Sequence, residues 1–263
     1  MYEFNYSRPT SLNDAASGLS DADAKLVAGG MTLVPTLKMR LAKPSQLIDL
    51  GAIAGLKGIS EDGDAIVIGA MTRHADVNRS AVVKRAIPAL AALAGMIGDP
   101  AVRNRGTIGG SIANNDPAAD YPAAIVALNA VVRTNKREIA ADSFFTGLFE
   151  TALGEGEIVT GVRFPKVQAA NYQKFRNPAS RYAIVGVFVA RGPAGVRVSV
   201  TGAGACVFRV PAMEAALARS FTADAIKDIA IPDTALNSDI HASAEYRAHL
   251  VNVMARRAVA ACA

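Results

Sequence analysis

Tryptophan is absent from the 263 residues, and Phe and Tyr bring the aromatic share to only 6%. A stacking platform for single-stranded nucleic acid is poorly supplied by such a chain. Lys plus Arg number 28 against 23 Asp plus Glu, a formal net charge of +5. The basic residues are scattered, so we expect no nucleic-acid partner. There are two cysteines, Cys206 and Cys262. Two distant thiols cannot hold an iron–sulfur cluster or a structural zinc ion by themselves, and they read as reduced thiols in a reducing cytosol. His74, His241 and His249 make no metal pattern. The last two are placed on a C-terminal helix but not at i, i+4, and all three read as solvated or capping residues. No run approaches the roughly 18 apolar residues of a membrane span. The first residues lack the apolar core of a signal peptide. A cytoplasmic location is the expectation. No G-x-G-x-x-G, no G-x-x-x-x-G-K-[ST] and no G-x-S-x-G is present, so the familiar dinucleotide, triphosphate and nucleophile-elbow signatures are excluded.

What is present is 51% hydrophobic and 19% charged material, enough to bury a good core. It also has one unusual stretch, Arg105-Gly106-Thr107-Ile108-Gly109-Gly110-Ser111-Ile112-Ala113-Asn114-Asn115-Asp116. Three glycines fall within five residues, followed by hydroxyl and amide side chains. Glycine permits close backbone approach, and consecutive free N–H groups form a concave anion site. A second turn, Ala28-Gly29-Gly30-Met31-Thr32, has the same character. Either turn alone is equally an ordinary tight turn. Together, neutral donors plus glycine suit a dinucleotide diphosphate. We expect the two turns to meet around one.

In chain order, Ser11 caps a helix through Ala15-Ala16. Residues 24 to 28 form a buried strand that stops at Gly29-Gly30. Thr32 caps a helix over 33 to 41, with Leu33, Leu37 and Leu41 on one face. Residues 46 to 50 form another strand. This strand–turn–helix–strand unit pairs in parallel. Gly58–Ser60 and Ala65–Gly69 then form a hairpin around Asp62-Gly63. Thr72 caps a helix over 73 to 78. An Ala-rich helix over 81 to 97 is interrupted near Pro88. After the glycine-rich stretch, read as a turn, come a helix over 119 to 128 and a hairpin around Thr134-Asn135-Lys136. A strand then runs from 156 to 164. Residues 172–176, 182–191 and 195–201 form an antiparallel sheet. Helices follow over 211–219, 222–229 and 242–261. The class is α+β.

Asp116 and Asp120 each admit two readings, a carboxylate accepting from ribose or ribityl hydroxyls and a helix-end residue. Nothing marks a nucleophile or an acid–base pair. The chain reads as a cofactor holder.

Ala28–Thr32, Val102–Ser111 and Asn115-Asp116-Pro117-Ala118-Ala119-Asp120-Tyr121-Pro122 resemble the flavin-carrying medium subunit of molybdenum hydroxylases. That family includes aerobic carbon monoxide dehydrogenase and, as a domain, xanthine dehydrogenase. The resemblance spans the chain. It implies a two-lobed FAD-binding domain of the vanillyl-alcohol-oxidase (PCMH) type over 1–165, with subdomains of about 1–54 and 55–165. A C-terminal domain with an antiparallel sheet and helices would occupy 166–263. It implies that Val27, Ala28, Gly29, Gly30, Met31, Thr32 and Leu33, with Thr107, Ile108, Gly109, Gly110 and Ser111, wrap the FAD diphosphate. Asp120 would bind sugar hydroxyls, and Ile97 would lie near the flavin ring. Ile158 would line the adenine or ring side, and Tyr182 would sit over the isoalloxazine. Met31 stands where a polar residue is common in the family, and Ile184 where xanthine dehydrogenase-like members carry Lys. The implied role is electron transfer from the [2Fe–2S] clusters of a small subunit to an external acceptor. A large molybdopterin subunit would oxidise the substrate, in a dimer of heterotrimers. No metal ligand is expected on this chain. The alternatives are a self-sufficient FAD-dependent oxidoreductase and a scaffold whose glycine turns are only turns. A bulky residue at Gly109 is expected to abolish FAD retention without harming the fold.

Overall fold

A computed structural model describes residues 1–262. Besides one two-stranded pair, three larger sheets follow one another along the chain. The first 54 residues supply β1 (Asn5–Ser7), α1 (Leu12–Gly18), β2 (Lys25–Val27), α2 (Leu33–Lys38) and β3 (Gln46–Asp49). Their strands form an all-parallel sheet in the order β1-β3-β2. The two connections carry helices because parallel neighbours cannot be joined by a tight turn. Ser11 caps α1 by accepting from the Asp14 N–H. The helix expected over 33–41 ends at Lys38. Thr32 makes no side-chain cap, Arg40 takes a left-handed φ of 58°, and Leu41 is exposed. The chain must reverse there to reach β3, so of the three leucines only Leu37 is buried.

Next come β4 (Ile59–Asp62), β5 (Ala65–Gly69), α3 (His74–Arg79), α4 (Ala81–Ala86), α5 (Pro88–Gly95), α6 (Pro100–Arg105), α7 (Ile108–Asn114) and α8 (Tyr121–Ala127). After them run β6 (Val131–Thr134), β7 (Glu138–Ala140), α9 (Ala141–Phe144), β8 (Phe145–Gly147), β9 (Glu150–Thr151) and β10 (Val159–Pro165). The order β4-β5-β10-β6-β7 is antiparallel throughout. Gly63, at the Asp-Gly turn, has φ +60°, the angle such a hairpin requires. Pro88 splits the Ala-rich stretch into two helices, because its ring cannot continue a helix from the preceding turn. Thr72 does not cap α3. Its hydroxyl instead accepts from the Gly58 N–H and donates to the Gly58 carbonyl, closing the base of the β4–β5 hairpin.

The last part holds β11 (Ala169–Arg176), β12 (Ala183–Gly192), β13 (Gly195–Thr201), β14 (Phe208–Arg209), α10 (Pro211–Arg219) and α11 (Ala244–Ala261). Its sheet is antiparallel in the order β11-β12-β13-β14. Residues expected as a helix from 222 form only a short 3₁₀ turn, Ala223–Ile226. His241 precedes α11 and His249 lies on it.

The main core gathers Ile66, Ile68, Leu90, Leu93, Tyr121, Phe144 and Phe164, and continues into β11 and β12 through Tyr172 and Phe188. Each such side chain contributes roughly 1.5–3 kcal/mol when fully buried. A second core lies between the last sheet and α10 and α11. A smaller one, with Ala15, Ile48 and Leu56, underlies the parallel sheet. Polar ties cross between the parts. Ser199 Oγ donates to the Ala123 carbonyl and Thr201 Oγ1 to that of Ala119.

Candidate functional site: a cavity between two glycine bends

The apolar strand β2 stops because Ala28-Gly29-Gly30 turns away from the sheet. Gly30 has φ +72°, a region that side chains disfavour. Gly29 is required for a different reason. A Cβ there would lie 2.3 Å from the Arg105 carbonyl oxygen and 2.7 Å from Gly106 Cα. The two glycine bends, distant in sequence, therefore touch backbone to backbone. Among the described residues, the N–H groups of Gly29, Gly30, Met31, Thr32 and Leu33 find no acceptor. Five consecutive unpaired amides around a left-handed glycine make an anion-binding concavity.

The other bend is built differently from the expectation. It is not a turn with free amides but the start of α7. Thr107 caps it by accepting from the Gly110 N–H at 3.2 Å. The Ile108 N–H donates to the Thr72 carbonyl and the Gly109 N–H to the Ala70 carbonyl. All three amides are spent on the wall of the site. Gly109 is small because α7 lies directly on Ala70, where a Cβ would come within 2.5 Å of the Ala70 Cβ. A bulky residue at Gly109 would therefore push α7 off β5 and damage the fold itself, contrary to the expectation. Gly110 faces Ala28, 3.5 Å from where its Cβ would be.

Between the bends lies a cavity of about 540 Å³, within the roughly 300–1,000 Å³ of small-molecule and cofactor sites. Every residue expected to contact FAD lines it except Val27 and Ile108, and Ile184 does not line it either. Val27 is the last residue of β2, and the Ile108 side chain points into the main core, fully buried. Ile97 and Gly98 enter on a turn held by Arg103, which donates to both of their carbonyls at 2.9 Å. Ile158 is buried and Tyr182 is 44% exposed. Burial, with Asp116 and Asp120 nearby, pushes the Tyr182 hydroxyl above its ordinary range.

Asp116 and Asp120 both reach the cavity. Asp116 accepts from the Ala118 N–H, and burial raises its carboxyl above the usual carboxylate range. Asp120 is engaged already. Tyr172 donates to it at 2.5 Å, and Lys174 Nζ lies 2.9 Å from Oδ1 and 3.0 Å from Oδ2. Burial raises the Asp120 carboxyl, and Lys174 and Tyr172 pull it back down. Two residues of the site left no usable mark in the sequence. Lys174 sits on β11, far along the chain. His74 looked like a capping or solvated residue but is 4% exposed and lines the cavity. Burial and the Arg103 charge depress His74 to about 4, so the ring is neutral.

The donor set fits a flavin nucleotide. Unpaired amides offer a place for a diphosphate without a cationic clamp. Ile97, Ile158, Leu33 and Leu26 give apolar walls for ring systems. Among the described residues no cluster of His, Cys, Asp or Glu is arranged for a metal ion, and no helix is long and apolar enough to cross a membrane.

Comparison with known proteins agrees with this geometry. Residues 2–167 match the family described as the FAD binding domain in molybdopterin dehydrogenase. The chain is 38% identical to the nicotine 6-hydroxylase medium subunit of Paenarthrobacter nicotinovorans, over 97% of this chain and 95% of that one. It is 36% identical to the carbon monoxide dehydrogenase medium chain of Hydrogenophaga pseudoflava, over 97% and 96%. The crystallised carbon monoxide dehydrogenase of Hydrogenophaga pseudoflava superposes with a TM-score of 0.89 at 35% identity, covering 99% of this chain and 97% of that one. The chain belongs to the FAD-binding medium subunits of the molybdenum hydroxylases, an α+β flavoprotein family. It is an oxidoreductase subunit whose cofactor is FAD, with molybdenum and iron–sulfur groups carried on large and small partner subunits.

Proposed function

We propose that this chain is the electron-transfer subunit of its complex. It takes electrons from [2Fe–2S] clusters of the small partner and passes them to an external acceptor. Bound FAD would supply the redox chemistry, as a carrier able to accept electrons singly and deliver them in pairs. The chain's own part is to bind, orient and shield that group. The five amides of residues 29–33 would hold the diphosphate, with Gly29 keeping the two bends in contact. Gly110 and Ser111 would line its other side. Asp120, fixed by Tyr172 and Lys174, would accept from sugar hydroxyls. Ile97 and Tyr182 would flank the flavin ring, and Ile158 the adenine or ring side. Residues 1–165 would form the cofactor domain, with lobes of about 1–54 and 55–165, and 166–263 the C-terminal domain. A dimer of heterotrimers in the cytoplasm is the matching assembly.

The observation that carries this reading is the direct backbone contact of Gly29 with the Arg105-Gly106 bend on the wall of one cavity. The test is rapid mixing of the purified complex with its hydroxylase substrate while flavin absorbance is followed. Flavin bleaching should require the small subunit. Bleaching in the isolated chain, with substrate alone, would refute electron transfer from a partner and favour the self-sufficient oxidoreductase.

A further inference from the structure

His74 carries two unusual features. Its Nδ1 is fully buried without a hydrogen-bond partner, and the hydroxyl of Tyr121 is in the same state. The two rings are neighbours, with centroids 5.4 Å apart and planes tilted by 47°. A buried polar atom without a partner costs roughly 1–3 kcal/mol. The other ring nitrogen, Nε2, makes no hydrogen bond among the described residues, yet it is not sealed off in the same way. His74 forms part of the cavity wall.

Gly106 explains how that nitrogen stays uncovered. Its backbone, φ −59° and ψ 144°, is one that any residue adopts, so conformational freedom is not what glycine supplies here. A Cβ at this position would lie 2.6 Å from His74 Nε2 and 2.9 Å from Cδ2. The His74 backbone N–H also donates to the Gly106 carbonyl at 3.0 Å. The ring is therefore fixed against the bend that meets Gly29, with one nitrogen facing inward and one toward the cavity.

We propose that His74 is a cofactor-contacting residue, a neutral imidazole that donates from Nε2 to a phosphate or ribityl oxygen of the bound flavin nucleotide. Donation from Nε2 requires the neutral ring to carry its proton there, which leaves Nδ1 as the bare nitrogen. Burial, and then the Arg103 charge, keep the ring in this neutral form. The role rests on the reading of the cavity as the FAD site.

The test compares His74→Leu, His74→Gln and Tyr121→Phe in the assembled complex, with FAD release followed by the rise of free-flavin fluorescence after dilution. His74→Leu should weaken FAD retention roughly tenfold, the worth of one lost hydrogen bond. His74→Gln, which keeps a donor, should restore most of it. Tyr121→Phe should change FAD release by less than about threefold, because Tyr121 is fully buried and does not line the cavity. Nitrogen-15 NMR of histidine-labelled protein should show His74 as the Nε2–H tautomer, with that resonance moving when FAD binds. Unchanged FAD release in a folded His74→Leu complex would overturn the proposal, as would an Nδ1–H tautomer. Wild-type complex that holds no FAD would instead overturn the reading of the cavity.

Discussion

Lys174→Met isolates one buried charge. The side chains of Lys174 and Asp120 are 2% and 4% exposed, and the ammonium touches both carboxylate oxygens. Lys174 also donates to the Met96 carbonyl at 3.1 Å. Methionine keeps an unbranched side chain one atom shorter and removes the charge. Asp120 then keeps only the Tyr172 hydroxyl, at 2.5 Å. Removing one partner of a buried ion pair costs roughly 3–5 kcal/mol, because the remaining charge has lost both water and its counter-ion. For a chain of this size that is a fall in Tm of about 6–20 °C. The deficit has a definite pH dependence. Burial already holds the Asp120 carboxyl above its ordinary range, and loss of Lys174 raises it further. A carboxyl with a raised folded-state pKa stabilises the fold at low pH and loses that contribution as pH rises through the folded value. The variant should therefore lose most near neutral pH and least at about pH 5. The assay is thermal unfolding by circular dichroism at both pH values, for Lys174→Met, Asp120→Asn and the double variant. The double variant should recover more than half of the loss, since Asn leaves no uncompensated charge. A Lys174→Met variant within about 1 kcal/mol of wild type, or one that weakens on acidification, would refute the argument.

Gly29→Ala should abolish FAD retention while leaving most of the circular dichroism unchanged, because its Cβ would sit 2.3 Å from the Arg105 carbonyl and force the bends apart; flavin content after gel filtration checks this. Glu157 is held down to about 2, first by the Arg137 hydrogen bond and then by the Gly154 N–H and the Thr134 hydroxyl. A depressed carboxylate stabilises the fold above its unfolded value and loses that contribution as pH falls toward the folded one. Wild-type Tm should therefore drop as pH is lowered from about 4.5 toward 2, and Glu157→Gln should flatten that limb.

Much of the local structure was legible in the chain because its signals are local. Ser11 caps α1, the Asp62-Gly63 pair makes the β4–β5 hairpin, and Pro88 divides the alanine-rich stretch. The parallel unit around Gly29-Gly30 followed from apolar runs separated by a turn and a helix. The misses have local physics behind them too. Thr72 and Thr32 look alike as caps, but a hydroxyl bonds whatever backbone lies nearest, and for Thr72 that was Gly58. Gly106 to Gly110 read as a flexible turn because glycine disfavours helices. Packing against Ala70 outweighed that preference, and the same packing consumed the amides expected to face a ligand.

The sequence by itself determined an α+β chain with two glycine bends suited to a dinucleotide diphosphate, and its resemblance to a flavoprotein family named the flavin. Glycine, its neighbours and the spacing of apolar residues act over a few positions and can be read one segment at a time. Only the tertiary structure decided that the bends touch at Gly29 and Gly106, that the amides of residues 29–33 remain unpaired, that His74 lines the cavity and that Lys174 pairs with Asp120. Those facts depend on which distant surfaces exclude water from one another, and close packing between remote segments leaves no periodic trace along a single chain.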